Sequence, residues 1–362
     1  MLLPRIITSL IGIPLVIAAV HIGNIPYIVF IGCIMALCLY EYGLILKAGQ
    51  RSVNFFSLIL FGLLLGLSLI IGRLPLESNL PDNLLPLTIS VIIFGVVFFE
   101  IISRKKSFLR LCYTFFGIFF ITWTLVHLIS IREIAQHGEY LTIILFVSVW
   151  ACDISAYFAG TKFGRHALNA DVSPKKSWEG AIAGVLGAVM VTVILNNLLL
   201  AGGGISTTEA VILGFIIGVV GQISDLAESL IKRSTGVKDS SNLLPGHGGI
   251  LDRFDSFILL APIFYYAVLF FILYDFLMKN IVVLGSTGSI GTSSLEVISK
   301  LGKGYKVLGL STYGKEALIL QQLKKFKPKY VSVLPKATHD KIKNKIPAGT
   351  KLLSPTLKGL NF

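Results

Sequence analysis

The chain has 362 residues, of which 54% are hydrophobic and only 14% are charged. Soluble domains carry about 25% charged residues, so this balance excludes a soluble protein over most of the length. The net charge of +13 does not indicate nucleic-acid binding, because Lys and Arg gather in the cytoplasmic loops of membrane proteins and here also in a Lys-rich tail.

The apolar residues form runs close to the length of about 20 residues that a membrane-spanning helix needs. We predict spans at about 5–22, 26–46, 53–72, 84–102, 111–131, 140–160, 178–200, 208–231 and 252–277. The predicted fold class is an all-α polytopic membrane protein with about nine transmembrane helices, followed by a small C-terminal α/β fragment. Loops rich in Lys and Arg alternate with loops that are poor in them, which predicts a cytoplasmic amino terminus.

Few charged residues lie inside these runs. Glu41 and Glu100 are near the predicted cytoplasmic ends of their helices, where we expect water to reach them. Asp153 lies about two turns from the cytoplasmic end of its own predicted helix, on the same helical face as Tyr157. An ionisable group at such a depth is costly and usually faces a polar cavity, so a functional role is predicted. A structural contact between helices is the alternative.

The loop before the seventh span combines lysines with a helix start. It runs from Ser173 to Gly180 and contains Lys175, Lys176 and Ser177. Pro174 fits the first turn of a helix that Ser173 would cap. Free backbone N–H groups beside two lysines suit a phosphate. An ordinary basic cytoplasmic loop explains the same residues equally well.

The eighth span ends in a stripe of polar residues. Asp225, Glu228, Ser229 and Lys232 are spaced at i, i+3, i+4 and i+7, which places them on one face of a helix. We predict that this face is one wall of a water-filled pocket. A solvated amphipathic helix end is the alternative.

A glycine-rich loop and the start of the ninth span complete the predicted pocket. Three glycines surround His247 between residues 246 and 249, and Asp252 and Asp255 follow on one helical face. Glycines let the backbone approach a ligand closely. Carboxylates from two helices, Asp225 and Asp252, beside a basic rim predict a Mg²⁺–phosphate site. His247 is interpreted as a metal ligand, a proton carrier or a hydrogen-bond donor to phosphate.

The stretch from Ser229 to Asp255 resembles the signature of the phosphatidate cytidylyltransferase (CDP-diacylglycerol synthase) family. It contains Lys-Arg and Lys-Asp, then Pro-x-His-Gly-Gly-x-x-Asp-Arg-x-Asp. The resemblance covers about residues 1–277. It implies a membrane enzyme that transfers CMP from CTP to phosphatidic acid, giving CDP-diacylglycerol and pyrophosphate. It also implies the cell (inner) membrane and an active site on the cytoplasmic side.

The resemblance implies roles for individual residues. Catalysis is expected of Asp225, Asp252, Lys232, Arg233, Lys238, His247 and Arg253, with Asp225 and Asp252 as ligands of Mg²⁺ and a second cation left open. Substrate binding is expected of Ser173, Lys175, Lys176, Ser177, Ser229 and Asp239. Orienting roles are expected of Asp153, Glu228 and Asp255. Other CTP-dependent lipid kinases or cytidylyltransferases, and a membrane transporter, remain alternatives. A homodimer is compatible with the sequence, which does not determine the oligomeric state.

After residue 277 the long apolar runs end and the sequence pattern changes to that of an α/β unit. A strand, a glycine turn and a helix start follow, as in a dinucleotide-binding Rossmann-like unit. The predicted cofactor-binding residues are Gly285, Ser286, Thr287, Gly288, Ser289 and Ile290. The segment 278–362 resembles the start of 1-deoxy-D-xylulose 5-phosphate reductoisomerase, an NADPH enzyme. We expect an inert fragment, produced by a frameshift or readthrough and left outside the cytoplasm by nine crossings. A fusion with a working reductase is the alternative.

Overall fold

A computed structural model of the protein describes residues 3–71, 84–200, 205–244, 246, 248–277, 279–301 and 305–354. The chain divides into two compact units, Met1–Leu269 and Phe270–Phe362. The domain boundary predicted after residue 277 stays a prediction.

Helices form at each of the predicted apolar runs. Their bounds are α1 Leu3–Ile22, α2 Asn24–Ala48, α3 Phe55–Ile71, α4 Leu84–Ile102, α5 Phe108–Arg132, α6 Gly138–Phe163, α7 Trp178–Leu199, α8 Thr207–Ser234 and α9 Leu251–Leu277. Within the described ranges, 7 helices are long and apolar enough to cross a membrane, and Leu10–Ile22 and Phe55–Ile71 are shorter apolar helices. A mostly helical protein with several candidate membrane spans is therefore confirmed, while the count of nine crossings stays a prediction.

Large apolar side chains remain exposed along these helices. Leu186 and Met190 on α7 are more than half exposed, and so are Ile223 and Leu230 on α8. Such surfaces would be costly in water, but they match the hydrocarbon core of a bilayer. The outward faces of α7 and α8 are therefore the surfaces that suit lipid.

Close packing among α6, α7 and α8 depends on small residues. A Cβ added at Gly184 of α7 would lie 3.1 Å from the carbonyl oxygen of Cys152 on α6. A Cβ at Gly214 of α8 would lie 2.6 Å from the Cα of Val189 on α7. Glycine at these positions lets the helix backbones approach each other, as is typical of membrane helices. The three helices thus form a tightly packed group.

A short hairpin connects α6 to α7. Its strands, β1 (Ala167–Asn169) and β2 (Ser173–Ser177), pair antiparallel. The prediction that Ser173 caps a helix with Pro174 in its first turn is therefore wrong. Pairing with β1 keeps these residues extended, and the helix begins only at Trp178.

The cap of α7 is Ser177. Its backbone is extended, with φ −118° and ψ 157°, and its Oγ accepts a hydrogen bond of 3.2 Å from the N–H of Gly180. This is the usual geometry for a serine at a helix start. In the strand before it, Lys175 is exposed and Lys176 is half-buried. Alternation along the strand thus separates the two lysines, and only Lys176 turns toward α8.

The second unit contains a parallel sheet. Its elements are β3 Lys279–Val283, α10 Ser289–Leu301, β4 Tyr305–Tyr313, α11 Glu316–Phe326, β5 Tyr330–Leu334, α12 Lys336–Ile342 and β6 Lys351–Leu352. The strands pair in the order β3-β4-β5-β6 around a core that includes Leu310, Leu323 and Val331. Helices connect the first three strands, because parallel neighbours need crossover connections. The predicted α/β character is confirmed; the Rossmann-like assignment stays a prediction, and β6 was not predicted.

Candidate active site

The polar stripe of α8 faces the interior of the helical unit. Glu228, Ser229 and Lys232 are buried, and the side chain of Asp225 is 25% exposed. Ile223 and Leu230, on the opposite side, are exposed. The polar residues therefore share an inward face, as their spacing predicts.

Two lysines neutralise carboxylates on this face. Nζ of Lys232 lies 2.5 Å from Oε2 of Glu228 and 2.7 Å from Oδ1 of Asp252, so it joins α8 to the first turn of α9. Nζ of Lys176 donates to Oδ2 of Asp225 and joins the hairpin to α8. The predicted residues of three elements thus meet in one cluster.

Both oxygens of the Asp252 carboxylate have hydrogen-bond partners. Its Oδ2 accepts hydrogen bonds from the backbone N–H of Gly249 at 2.8 Å and of Ser240 at 3.0 Å, and from Oγ of Ser240 at 2.9 Å. A carboxylate in the first turn of α9 also interacts favourably with the helix dipole. Asp252 therefore joins an inner residue of the loop between α8 and α9 to the last residues of that loop. Ser240 was not among the predicted site residues.

The loop reverses direction at Gly248. Its carbonyl accepts a hydrogen bond of 2.9 Å from the N–H of Leu244, and its φ is +80°. A Cβ here would lie 2.7 Å from Oδ2 of Asp252. Both the positive φ and the close carboxylate require glycine. His247, which was predicted to be catalytic, lies outside the described residues.

Several charged residues among the predicted site residues are exposed. They are the basic residues Lys175, Arg233, Lys238 and Arg253 and the acidic residue Asp239. The guanidinium of Arg233 donates to the carbonyl oxygens of Val172 at 3.2 Å and Val237 at 3.0 Å, so it fastens the hairpin to the loop. The predicted phosphate contacts of the other cations stay predictions.

The predicted orienting residues differ in their surroundings. Asp153 is exposed on α6. Oδ1 of Asp255 accepts a hydrogen bond of 2.6 Å from the N–H of Ser256 within α9. Oγ of Ser224 donates to the carbonyl oxygen of Asp255 and accepts from the N–H of Leu259 at 3.0 Å. These bonds join α8 to α9 one residue before Asp225.

Glu41 is a site residue that the sequence did not indicate. It is 1% exposed and hydrogen-bonds to the loop between α8 and α9. Glu100 is also buried, at 7% exposed. The expectation that water reaches both carboxylates is therefore wrong, because neighbouring segments of the chain cover them.

The carboxylate cluster fits a divalent cation in its ligand chemistry. Oε1 of Glu228 is buried without a hydrogen-bond partner among the described residues. Oδ1 of Asp225 accepts a long bond of 3.4 Å from Oγ of Ser229. Carboxylate oxygens with spare capacity are the ligands that Mg²⁺ prefers. No group of three or more His, Cys, Asp or Glu side chains in the described ranges is already arranged as a metal site.

The glycine turn of the second unit uses its hydroxyl groups internally. Gly285 has φ +70°, Oγ of Ser286 donates to Oε1 of Gln322 at 2.8 Å, and Oγ1 of Thr287 contacts Oγ1 of Thr312. The remaining predicted residues, Gly288, Ser289 and Ile290, are exposed at the start of α10. The two hydroxyl side chains therefore attach the turn to its own sheet.

Comparison with known proteins adds independent information about both units. The model of the cytidylyltransferase family matches residues 3–271. The model of 1-deoxy-D-xylulose 5-phosphate reductoisomerase matches residues 281–358. The two matches follow each other along the chain without overlap.

Curated relatives match the first of these regions. The chain is 32% identical over 288 residues to a phosphatidate cytidylyltransferase of Haemophilus influenzae, covering 75% of this chain and 99% of that protein. It is 34% identical over 289 residues to one of Synechocystis, covering 73% and 95%. It is 33% identical over 268 residues to one of Thermotoga maritima, covering 72% and 94%.

Proposed function

The chain belongs to the cytidylyltransferase family, and we propose that its helical unit transfers CMP from CTP to phosphatidate at the cluster around Asp225 and Asp252. The products are CDP-diacylglycerol and pyrophosphate, and the protein is a nucleotidyltransferase of phospholipid biosynthesis. Relatives named phosphatidate cytidylyltransferase, similar along almost their whole length, support phosphatidate as the acceptor. They favour this reaction over a lipid kinase or a transporter.

The observation that carries the proposal is the pair of lysine–aspartate contacts at the end of α8. Lys176 contacts Asp225, and Lys232 contacts Asp252. In the transfer, an oxygen of the lipid phosphate attacks the α-phosphorus of CTP, and pyrophosphate leaves. The protein's task in such a step is to position two anions and to stabilise their charge. Lysines that already lie at the cluster are suited to both tasks.

We assign the remaining predicted residues around this pair. The exposed cations Lys175, Arg233, Lys238 and Arg253 would bind the triphosphate or the lipid phosphate, and His247 stays a predicted catalytic residue. Ser173, Ser177, Ser229 and Asp239 would hold the substrates, while Asp153, Glu228 and Asp255 would orient their neighbours.

A divalent cation is expected at the carboxylates. Asp225 and Asp252 are the proposed ligands, and Glu228 has a spare oxygen beside them. Lys232 contacts Oδ1 of Asp252, so this lysine lies next to a proposed cation ligand. A bound Mg²⁺ would neutralise charge on the phosphate oxygens. Lys232 would contribute positive charge near the phosphates.

The proposed setting is the inner cell membrane, crossed nine times. The Lys- and Arg-rich connections include the hairpin and the loop after α8, so the positive-inside rule would place the cluster in the cytoplasm, where CTP is found. A homodimer remains compatible with this arrangement.

For residues 278–362 we propose a partial Rossmann-like unit without a role in the transfer. Its support is the reductoisomerase match together with the parallel sheet. The hydroxyls of Ser286 and Thr287 are engaged within the unit, which reduces what the turn offers to a dinucleotide. Titration of the intact protein with NADPH is expected to leave the nucleotide's fluorescence unchanged. Saturable enhancement would instead support a functional fusion.

The transfer is tested with CTP labelled at its α-phosphate and phosphatidate vesicles. Membranes that contain the protein are expected to form a labelled lipid with the mobility of CDP-diacylglycerol, while membranes without it do not. Label from the γ-phosphate should remain in water-soluble pyrophosphate. Transfer of γ-label to lipid would indicate a lipid kinase instead.

A further inference from the structure

Glu41 contacts two segments of the chain between α8 and α9: one inside the connecting loop and one where the loop enters α9. The carboxylate of this α2 residue accepts hydrogen bonds from Oγ of Ser240 at 2.9 Å and Oγ of Ser241 at 2.6 Å. It also accepts bonds from the backbone N–H groups of Ile250 at 3.0 Å and Leu251 at 2.7 Å. Each of its oxygens therefore binds one hydroxyl and one backbone N–H.

We propose that Glu41 is a positioning residue for the transfer reaction: it holds the loop in the conformation that presents Asp252 to the cation and the nucleotide. This role rests on the function proposed above. Glu41 lies about 200 positions before the loop in the sequence, with separations of 199 and 210 residues to Ser240 and Leu251. Glu41 therefore lies outside the stretch from Ser229 to Asp255 and holds the loop through tertiary contacts.

The loop backbone is packed directly against this carboxylate. A Cβ added at Gly249 would lie 2.4 Å from Oε2 of Glu41 and 1.9 Å from Oγ of Ser240. No side chain larger than hydrogen fits between them unless the loop moves. Because Gly249 has no side chain, the carboxylate of Glu41 can lie close enough to accept hydrogen bonds from the loop.

Ser240 connects Glu41 to Asp252. Its Oγ lies 2.9 Å from Oε2 of Glu41 and also 2.9 Å from Oδ2 of Asp252. A hydroxyl has one hydrogen to donate, so the two carboxylates share a single donor. The N–H of Gly249 binds Asp252, and the next two N–H groups bind Glu41. Because both carboxylates hold the same two short segments, a disturbance at Glu41 displaces the donors of Asp252.

A neutral isostere would break this arrangement. Glutamine at position 41 offers one acceptor oxygen, and its amide group would point donor hydrogens at the N–H of Ile250 or of Leu251. One end of the loop would therefore lose its anchor. Residues that support metal-binding carboxylates in this way typically change metal affinity or activity about 10- to 100-fold when they are mutated.

Glu100 provides a matched control. It is also a buried glutamate in the last turns of a candidate span, and it accepts bonds from the N–H of Ser107 at 2.6 Å and from the guanidinium of Arg110 at 2.7 and 2.8 Å. These contacts hold the connection between α4 and α5. Glu100→Gln therefore removes an equivalent buried charge at a place that does not contact the loop.

The experiment compares wild type, Glu41→Gln, Glu41→Asp and Glu100→Gln as full-length proteins in membranes. Rates are normalised to folded protein, and kcat, KM for CTP and the Mg²⁺ concentration for half-maximal rate are measured separately. For Glu41→Gln, we expect KM for CTP and the Mg²⁺ requirement to rise about 10- to 100-fold, and Glu41→Asp to recover part of this change. Glu100→Gln is expected to alter protein yield without moving either constant.

The outcomes separate the possible failures. If wild type does not transfer CMP, the proposed function fails. If wild type is active and Glu41→Gln retains its KM for CTP and its Mg²⁺ requirement, the positioning role is refuted. If Glu41→Gln does not accumulate, Ser241→Ala is measured instead. This variant removes one hydrogen bond to the Glu41 carboxylate and leaves the charge of Glu41 in place. A higher Mg²⁺ requirement in Ser241→Ala supports the role, and an unchanged requirement overturns it.

Discussion

Replacing Asp252 by asparagine preserves the size of the side chain and removes its charge. Oδ2 accepts three hydrogen bonds from Ser240 and Gly249, and Oδ1 lies 2.7 Å from Nζ of Lys232. If the amide oxygen keeps the loop bonds, the amide nitrogen faces the ammonium group of Lys232. In the opposite orientation, it faces the N–H of Gly249. Either orientation removes at least one charge-assisted bond.

The size of the effect follows from that lost bond. A hydrogen bond to a charged group contributes about 1.5–3 kcal/mol. Since about 1.4 kcal/mol corresponds to a tenfold change, the bond alone predicts a fall in kcat/KM of about 10- to 100-fold. Loss of a cation ligand adds to this fall. The total for Asp252→Asn is therefore expected to exceed about 100-fold.

The assay is transfer of label from the CTP α-phosphate to phosphatidate, normalised to folded protein. Asp340→Asn is the control. It makes the same chemical change at an exposed aspartate of the second unit. It is expected to stay within about twofold of wild type, as is usual for surface substitutions. Full activity in Asp252→Asn would refute both the ligand role and the reasoning from the loop contacts.

Three further changes test other parts of the cluster. Gly249→Ala places a methyl group 1.9 Å from Oγ of Ser240, so kcat/KM should fall at least about 10-fold, and an unchanged value would contradict the tight packing of the loop. Lys176→Met removes the partner of Asp225 and should raise KM for CTP about 10-fold, measured by CTP titration, whereas an effect confined to phosphatidate would reassign this lysine. Chelation of divalent cations should abolish transfer, and added Mg²⁺ should restore it; activity that persists in excess chelator would exclude the proposed cation.

Much of the helical unit could be predicted because a bilayer imposes simple requirements. Spanning helices need a minimum apolar length, and this requirement located each of the nine helical runs. Helical spacing was equally informative for Asp225, Glu228 and Lys232, because residues at i, i+3 and i+7 share a face whatever surrounds them. The α/β character of the second unit could be predicted from its strand–turn–helix pattern.

The errors concern contacts that a local pattern does not encode. Ser173 and Pro174 match a helix cap, but pairing with the strand at Ala167–Asn169 keeps them extended. Glu41 looked like an ordinary end-of-helix carboxylate, since its four donors lie about 200 residues further along the chain. Ser240 was overlooked for the same reason. Short-range spacing identifies a face, whereas tertiary packing decides what covers it.

The charges of the cluster explain why a cation should matter most for the nucleotide. The carboxylates of Asp225, Glu228 and Asp252 outnumber the ammonium groups of Lys176 and Lys232, which contact them. At full ionisation these five contacting groups carry a net negative charge, and excess charge of one sign is costly in a poorly solvated site. CTP carries more negative charge than the lipid phosphate, so without a cation these carboxylates would repel the nucleotide more strongly than the lipid. Lowering the Mg²⁺ concentration should accordingly raise KM for CTP more steeply than KM for phosphatidate.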